Sequence, residues 1–434
     1  MRWVVLALAA VLVGVVVGTA PADRDTLVVG MPTDGASHDD HTAAGPDDGG
    51  VLSQVSEPLV RLTQDGQIVP WLVESWQQSE DGRTWTLHIR RGVRFTDGTP
   101  FDAEALRVNL ERLRRHSTGK AAPAMVTSMA VAGEHVLEVT TEAPFAPFMS
   151  SLGSPGIVVY SPTQILDAGD DHLPTAPVGT GPFKVVHPKR GQEVRLEAND
   201  QYWGGKPRLR AIVGRPYPDH GARMQALESG DVDLVGHVTP QAAARLARNP
   251  SLAIATPPSA RAIWIWLDTQ TTAFRDRRVR QALSHAIDRE AIAKSIFAGH
   301  AETSERDGYD PDLARRLLAE AGAGDLSFTL HHVPGRYLLS DQVVEAIQGS
   351  LARVGVTMRV TDLEWDALAP LITEPVATTR VQAVLLDELD GRSAFEALWL
   401  YGEPQIWAAR RTLKGVEWSS RGTIQSLRAA YFED

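Results

Sequence analysis

The chain contains no cysteine among its 434 residues. It therefore forms no disulfide, and it has no thiolate to act as a nucleophile or as a metal ligand. A thiol for lipid attachment near the N-terminus is also absent. Without cross-links the fold depends on its hydrophobic interior, and a chain of this length is expected to divide into two or three sub-domains.

Positive charge is in deficit. The sequence has 43 Lys and Arg residues against 54 Asp and Glu residues, which gives a net charge of −11. Nucleic-acid binding requires clustered basic residues that neutralise phosphates. We therefore expect no nucleic-acid partner. The hydrophobic content of 43% and the charged content of 22% are typical of a soluble globular protein.

Short motifs of the large enzyme classes are missing as well. The sequence has no G-x-S-x-G, H-E-x-x-H, G-x-x-x-x-G-K-[ST] or G-x-G-x-x-G motif. Its many carboxylates include no pair that is singled out by spacing. We expect a protein that is not an enzyme, with no catalytic residue, no resident metal and no cofactor.

An apolar run is present at the N-terminus. Arg2 precedes an apolar stretch over residues 3–18, and the small-residue sequence Ala20-Pro21-Ala22 follows it. This pattern predicts a signal peptide over residues 1–22, without a lipidation cysteine. An uncleaved anchor is the alternative, because the run is close to the roughly 20 residues that a spanning helix needs. Both interpretations place the body of the protein outside the cytoplasm.

The remaining sequence alternates between strand and helix patterns, which favours an α/β fold. Trp85, Leu87 and Ile89 alternate with polar residues and predict a strand. A turn at Asp97-Gly98 and a helix capped by Asp102 follow. The segment "VLSQVSEPLVRL" shows helical spacing of its apolar residues over 51–62, and "WIWLD" predicts a strand with Trp264 and Trp266 on one face.

Six segments in order resemble one protein family. They are "EPLVRLTQDGQIVPWLVESWQQSEDGRTWTLHIRRGVRFTDGTPFDAEAL", "PVGTGPFKVV", "NDQYWGGKPRL", "ALESGDVDL", "DRRVRQALSHAID" and "YDPDLARRLLAEAG". Together they resemble the family 5 extracellular solute-binding proteins, which are the dipeptide-, oligopeptide- and nickel-chelate-binding components of ABC importers. The resemblance extends over residues 25–434.

This resemblance implies a two-lobed, periplasmic-binding-protein-like (type II) α/β fold with an extra domain inserted in the first lobe. The ligand is enclosed between the lobes, and the hinge is expected between Leu267 and Asp268 and between Leu400 and Tyr401. The implied domains are residues 25–57 and 178–267 for lobe one, 58–177 for the inserted domain, 268–400 for a shortened lobe two, and 401–434 for the return to lobe one.

The chain departs from the family pattern in the second lobe. Between residues 370 and 391 it lacks several tens of residues that the family places there. In the family this part carries an aromatic-rich strand that lines the ligand site, so the ligand contacts of relatives cannot be transferred to this chain.

Four residues are the candidate ligand contacts implied by the resemblance. His41 belongs to a family loop near the cleft. Ser154 stands where nickel-type relatives place an arginine. Trp266 and Tyr401 are expected to face the cleft near the hinge, although core packing is the alternative for Trp266.

The resemblance implies a monomeric, extracytoplasmic receptor that delivers short peptides to the membrane permease of an ABC importer. A nickel-chelate receptor of the same family is the first alternative. A second alternative is a non-transporting sensor that keeps the scaffold and has lost part of its ligand cleft.

Overall fold

A computed structural model describes most of the chain. The described residues are 24–32, 51–63, 66–116, 123, 125–154, 156–169, 176–187, 193–303, 308–373, 381–387, 395–419 and 421–433. The predicted signal peptide and His41 lie outside these ranges. Within them, none of the helices combines the length and the apolar character that a membrane crossing requires.

Helices and strands follow one another in mixed order along the chain. The helices are α1 (Ala103–His116), α2 (Phe148–Ser151), α3 (Pro162–Ala168), α4 (His220–Ser229), α5 (Pro240–Leu246), α6 (Arg277–Ala286), α7 (Arg289–Ser295), α8 (Pro311–Glu320), α9 (Ser340–Ala352) and α10 (Trp365–Thr373). The strands are β1 (Thr26–Met31), β2 (Val60–Leu62), β3 (Ile68–Pro70), β4 (Val73–Gln78), β5 (Thr84–Ile89), β6 (Val126–Gly133), β7 (Val136–Thr141), β8 (Phe183–His187), β9 (Val194–Ala198), β10 (Ala211–Pro216), β11 (Leu234–Val235), β12 (Leu252–Ala255), β13 (Ala262–Asp268), β14 (Ser327–His332), β15 (Thr357–Asp362), β16 (Ala383–Leu386), β17 (Phe395–Gly402), β18 (Trp407–Arg410), β19 (Leu413–Lys414), β20 (Glu417–Trp418), β21 (Ile424–Ser426) and β22 (Tyr431–Phe432).

A seven-stranded sheet forms the first lobe, in the order β12-β18-β11-β1-β10-β9-β8. β1 runs parallel to β10 and β11, whereas β18 is antiparallel to both of its neighbours. Leu27 and Val29 face one hydrophobic cluster of this sheet, and Val28 packs against another that contains residues of α4 and α5. The sheet is therefore covered on both faces, as alternating strand residues require.

A five-stranded sheet forms the second lobe, in the order β15-β14-β16-β13-β17. β14 is parallel to β15 and β16, and β13 is antiparallel to β16 and β17. Ile263, Ile265 and Leu267 share a core with residues of α6, α7, α8 and α9. The opposite face packs against Leu368 and Ile372 of α10.

A third core surrounds a four-stranded sheet, β4-β5-β7-β6, and helix α1. The alternation predicted for Trp85, Leu87 and Ile89 is confirmed, because these three residues of β5 are buried and their neighbours are not. The predicted helix cap is also confirmed. The Asp102 side chain accepts a hydrogen bond of 2.9 Å from the Ala105 amide.

The helical prediction for residues 51–62 is wrong. The structure has a single 3-10 turn, Leu52–Gln54, followed by β2. A neighbouring segment takes the backbone partner that a helix would use, since the Gly181 amide donates to the Val55 carbonyl at 2.9 Å. A Cβ atom on Gly179 would lie 2.1 Å from the same oxygen, so the two segments are in direct backbone contact. Tertiary packing decides the local structure here.

Within the described ranges, the chain crosses between the two large sheets twice. Residues 256–261 connect β12 to β13, and residues 403–406 connect β17 to β18. These crossings differ from the predicted hinge positions, because β13 and β17 stay paired from Ala262↔Gly402 to Asp268↔Phe395. Asp268 lies at the far end of β13, where its side chain accepts a hydrogen bond from the Gln270 amide.

Candidate functional site

The edge of the second lobe that faces the crossings is the candidate site. The parallel strands β14, β15 and β16 all end at this edge. Ligands of open α/β sheets bind beyond the carboxyl ends of the strands. Asp387 follows β16 directly, and the segments after β14 and β15 contain Tyr337 and Trp365. The crossing at residues 256–261 brings Arg261 to the same place.

Asp387 is the centre of this edge. Its side chain is 11% exposed. One carboxylate oxygen accepts from the Tyr337 hydroxyl at 2.8 Å, and the other accepts from Arg261 Nε at 3.1 Å and from the Arg421 guanidinium. Burial alone would raise the pKa of Asp387. The two guanidinium groups outweigh that effect and lower the pKa to about 2.

Arg261 joins Asp387 to a second carboxylate. Its Nη1 lies 3.2 Å from Oε2 of Glu403, whose side chain is buried. Glu403 also accepts hydrogen bonds from the Leu338 amide at 2.7 Å and from the Gln405 side chain at 3.0 Å. Because the carboxylate groups at this edge are paired with guanidinium groups, the charges are compensated despite their burial.

Arg336 and Trp365 add a mixed cationic and aromatic surface. The Arg336 guanidinium lies 3.8 Å from the centroid of the Trp365 ring. Its Nε donates to the Tyr337 oxygen at 3.2 Å. Burial, and next the nearby Asp387 carboxylate, raise the pKa of Tyr337, so the phenol keeps its proton. An aromatic face next to a guanidinium can bind a molecule that carries a carboxylate and an apolar group.

A serine, a histidine and an aspartate form a chain of contacts at the same edge. His332 Nε2 lies 3.1 Å from Ser340 Oγ, and its Nδ1 lies 3.2 Å from Asp362 Oδ1. A nucleophilic serine must be accessible to its substrate, but Ser340 is only 1% exposed. The group therefore connects β14, β15 and α9 and does not present a hydrolytic nucleophile.

Trp266 lies on the sheet face that packs against α10. Trp264 and Trp266 share this face, as the sequence predicts, with ring centroids 6.2 Å apart. The Trp266 ring is half-buried, and its Nε1 is a buried donor without a hydrogen-bond partner among the described residues. A ligand acceptor at this atom would satisfy that donor.

Tyr401 lies on the opposite face of the sheet from Trp266. Tyr401 of β17 pairs with Ile263 of β13, and the register of the β13–β17 ladder shifts between Ile263 and Trp264. Ile263 and Tyr401 both belong to the large core of the second lobe. Its ring centroid is 4.9 Å from that of Phe297, and burial raises the pKa of its hydroxyl well above the ordinary value. The ring therefore points into the core, in contrast to the predicted orientation towards the cleft.

Ser154 lies in a different part of the molecule. It follows α2 in the domain of the four-stranded sheet, where its amide donates to the Ser151 carbonyl at 2.9 Å. The structure thus places Ser154, Trp266 and Tyr401 in three separate settings: a turn, an outer sheet face and a core. The fourth candidate, His41, belongs to the part of the chain that the structure does not describe.

Sequence reasoning missed the charged residues of the site. Asp387 carried a detectable signal, because it directly follows the apolar run Ala383–Leu386, which reads as a buried strand. Arg261, Glu403 and Arg421 carried no comparable local signal. The two crossings of the chain and the hairpin of β20 and β21 bring them together.

Comparisons with known proteins agree with the fold and extend it. The family described as "Bacterial extracellular solute-binding proteins, family 5 Middle" matches residues 67–388. The glutathione-binding protein GsiB of Salmonella paratyphi A is 30% identical over 336 residues, which are 72% of this chain and 65% of that protein. The nickel-binding periplasmic protein of Escherichia coli is 29% identical over 357 residues, which are 73% and 67% of the two chains. The chain thus spans slightly less than two thirds of the length of the glutathione-binding relative.

Solved structures show the same architecture at lower sequence identity. The periplasmic binding protein DppA from Helicobacter pylori, in complex with the peptide STSA, has a TM-score of 0.77 and 21% identity, covering 95% of this chain and 99% of that one. NikA from Brucella suis, in complex with Fe(III)-EDTA, has a TM-score of 0.76 and 21% identity, covering 94% and 100%. The predicted α/β, two-lobed periplasmic-binding fold is therefore confirmed. On the match over residues 67–388, the chain belongs to the bacterial extracellular solute-binding proteins of family 5.

Proposed function

We propose that this protein is the extracytoplasmic receptor of an ABC importer, and that it binds short peptides between its two lobes and delivers them to the membrane permease. The observation that carries this proposal is the composition of the site edge. Arg336 stacks on Trp365, so one small region offers a cation and an aromatic face, while the Asp387 carboxylate beside them is paired with Arg261 and Arg421. A short peptide has a terminal carboxylate and apolar side chains, and enclosed clefts that offer a guanidinium and an aromatic face suit it.

Relatives support the same substrate class and one alternative. The Salmonella paratyphi A relative is named for glutathione, which is a tripeptide, and the Escherichia coli relative is named for nickel. Nickel bound as a chelate is therefore the second candidate. His41, Ser154 and Trp266 remain proposed ligand contacts, whereas Tyr401 supports the sheet from its core. We propose that the protein works as a monomer and that residues 1–22 direct its export.

Thermal unfolding tests the ligand class. A ligand at 100 times its Kd stabilises the folded state by about 2.7 kcal/mol, so binding raises the melting temperature measurably. We expect glutathione or a mixture of di- and tripeptides to raise it, and nickel with histidine to leave it unchanged. The variant Arg336→Ala should lose the shift, while Arg215→Ala, which removes a partly exposed arginine paired with Glu193 in the first lobe, should keep it.

A melting temperature that rises with nickel and histidine but not with peptides would contradict the peptide assignment. A shift with nickel and histidine alone would assign the chelate class, and no shift with either probe would remove both assignments. Small-angle scattering with and without the ligand that raises the melting temperature then distinguishes a transport receptor from a non-transporting scaffold. A receptor whose lobes close on its ligand becomes more compact on binding, whereas a scaffold without a closing cleft does not.

A further inference from the structure

Arg421 reaches the site edge from the other lobe. It lies in the turn of the C-terminal hairpin formed by β20 and β21. Ile424 and Leu427 of this region belong to the first-lobe core, and the Leu427 amide donates to the Gln54 side chain at 2.7 Å. The Trp407 indole donates to the Gly422 carbonyl at 2.9 Å. The hairpin is therefore fixed to the first lobe.

Asp387, the partner of Arg421, is fixed to the second lobe. It directly follows β16, which is paired on both sides within the five-stranded sheet. Its amide donates to the Tyr337 oxygen at 2.9 Å, and the Tyr337 hydroxyl donates back to its carboxylate. The Arg421–Asp387 ion pair therefore connects the two lobes.

The crossings of the chain meet at the same carboxylate. Arg261 belongs to the first crossing and pairs with both Asp387 and Glu403, and Glu403 begins the second crossing. Ser259, also in the first crossing, donates to the Arg421 carbonyl at 2.9 Å. Both described crossings are thus tied to the group formed by Asp387, Arg261 and Arg421.

We propose that Arg421, Asp387 and Arg261 form an ionic lock that narrows the range of angles between the lobes before a ligand binds, and that Arg421 is a positioning residue for ligand binding. The side chains of Arg421, Asp387 and Arg261 are 27%, 11% and 10% exposed, so solvent and salt screen their attraction only weakly. Arginine holds a carboxylate in a defined direction, which a hinge restraint requires. The lock is independent of the ligand, but its effect on affinity rests on the proposed function.

The lock predicts how affinity depends on a residue that does not touch the ligand. The apparent affinity of a protein falls with the fraction of molecules whose conformation is competent to bind. Without Arg421, Asp387 keeps its contacts within the second lobe and the crossing, but the direct tie to the first lobe is lost. The lobes then sample a wider range of angles.

Distances between labels on the two lobes test the lock without any ligand. Because the chain has no cysteine, Ala247→Cys at the end of α5 and Ala352→Cys at the end of α9 give unique positions for spin labels. Both alanines are exposed. We expect one narrow distance distribution in the otherwise unchanged protein and a broader one in Arg421→Ala. Asp387→Ala should broaden the distribution as well. The double variant should be little broader than either single variant, because each single variant already removes the same Arg421–Asp387 ion pair.

Two further variants keep the test decisive. Arg421→Lys retains the charge and should fall between the other distributions, which covers the case that Arg421→Ala folds poorly. Arg215→Ala removes an arginine–carboxylate pair inside the first lobe and should leave the distribution unchanged. An unchanged distribution in Arg421→Ala and Arg421→Lys would overturn the lock.

Titration with the peptide that raises the melting temperature completes the experiment. We expect Arg421→Ala to weaken its binding about fivefold or more, the lower end of typical coupling between distant groups. If the distances broaden but no peptide binds to any variant, the proposed function fails and the lock stands. Weaker binding with unchanged distances would place Arg421 in direct contact with the ligand and contradict its positioning role.

Discussion

Glu57 shows how much a single residue can determine in this fold. Its buried carboxylate accepts hydrogen bonds from the Trp71 indole at 2.8 Å and the Tyr202 hydroxyl at 2.6 Å through one oxygen. The other oxygen accepts from Thr180 and from the Trp203 indole, both at 2.9 Å. Burial raises the pKa of Glu57, and these four hydrogen bonds act against the rise. Donors from three distant segments therefore converge on one side chain.

We expect Glu57→Gln to destabilise the protein although it preserves the shape of the side chain. Each oxygen of Glu57 faces one indole N–H, which can only donate, so either orientation of a glutamine amide opposes its NH₂ group to an indole. One buried donor left without an acceptor costs about 1–3 kcal/mol. Urea denaturation measures the change. Glu417 is a partly exposed partner of the neighbouring Arg61, so Glu417→Gln should change the midpoint little. Equal effects of the two variants would contradict this account.

At the scale of elements, the sequence predicts best where the signals are local. Helix starts are marked by aspartates that accept a hydrogen bond from the first turn: Asp102, Asp219, Asp276, Asp288 and Asp310. The helix α4 (His220–Ser229) ends before Gly230, whose φ of 93° favours glycine. Caps, turns and apolar alternation act within a few residues of the chain. They can therefore be read without knowledge of the fold.

The failed helix at residues 51–62 leads to a prediction about glycine. A methyl group on Gly179 would collide with the Val55 carbonyl, which is backbone and cannot rotate away. We expect Gly179→Ala to destabilise by about 1–3 kcal/mol or more, as overpacked cores do. Gly349 lies within α9 with no atom within 4 Å of an added Cβ, so Gly349→Ala should stabilise by about 1 kcal/mol. Thermal or urea unfolding of both variants checks the opposite signs.

At the scale of the whole molecule, the fold was accessible from the sequence and the site was not. The six ordered motifs imply the two-lobed architecture, which the structure shows. The site, however, is assembled from residues that are far apart in the chain, such as Arg261 and Asp387, and from crossings whose positions the sequence misplaced. Tyr401 illustrates the limit. An irregularity in its strand pairing sends the ring into the core, and no local pattern records that shift.

The stability that Asp387 contributes through its arginine partners should fall at acidic pH. The ordinary pKa of Asp387 is 3.8, and its guanidinium partners lower the folded value to about 2. A depressed pKa contributes stability above pH 3.8 that is lost as the pH falls towards 2, in total about 2 kcal/mol. Between pH 5 and pH 3, we expect Asp387→Asn to lose less stability than the unchanged protein, by about 1 kcal/mol. Urea denaturation at both pH values measures the difference.

A matched aspartate isolates the effect of Asp387 from general acid sensitivity. Asp325 is exposed, so Asp325→Asn should retain the pH dependence of the unchanged protein. If Asp387→Asn shows the same pH dependence as Asp325→Asn, Asp387 is not held ionised by its arginine partners.

The position of β18 has a consequence for how the chain acquires its structure. This strand lies inside the first-lobe sheet, where Leu234 of β11 and Leu252 of β12 pair with Ala409 and Arg410. During synthesis, the strand edges of β11 and β12 that pair with β18 therefore stay unpaired until β18 has emerged. Contacts between such distant residues slow folding and leave open strand edges that favour aggregation. The described strands of the second-lobe sheet all precede residue 403, so that sheet can close first, and the first-lobe sheet becomes complete only when β18 is added.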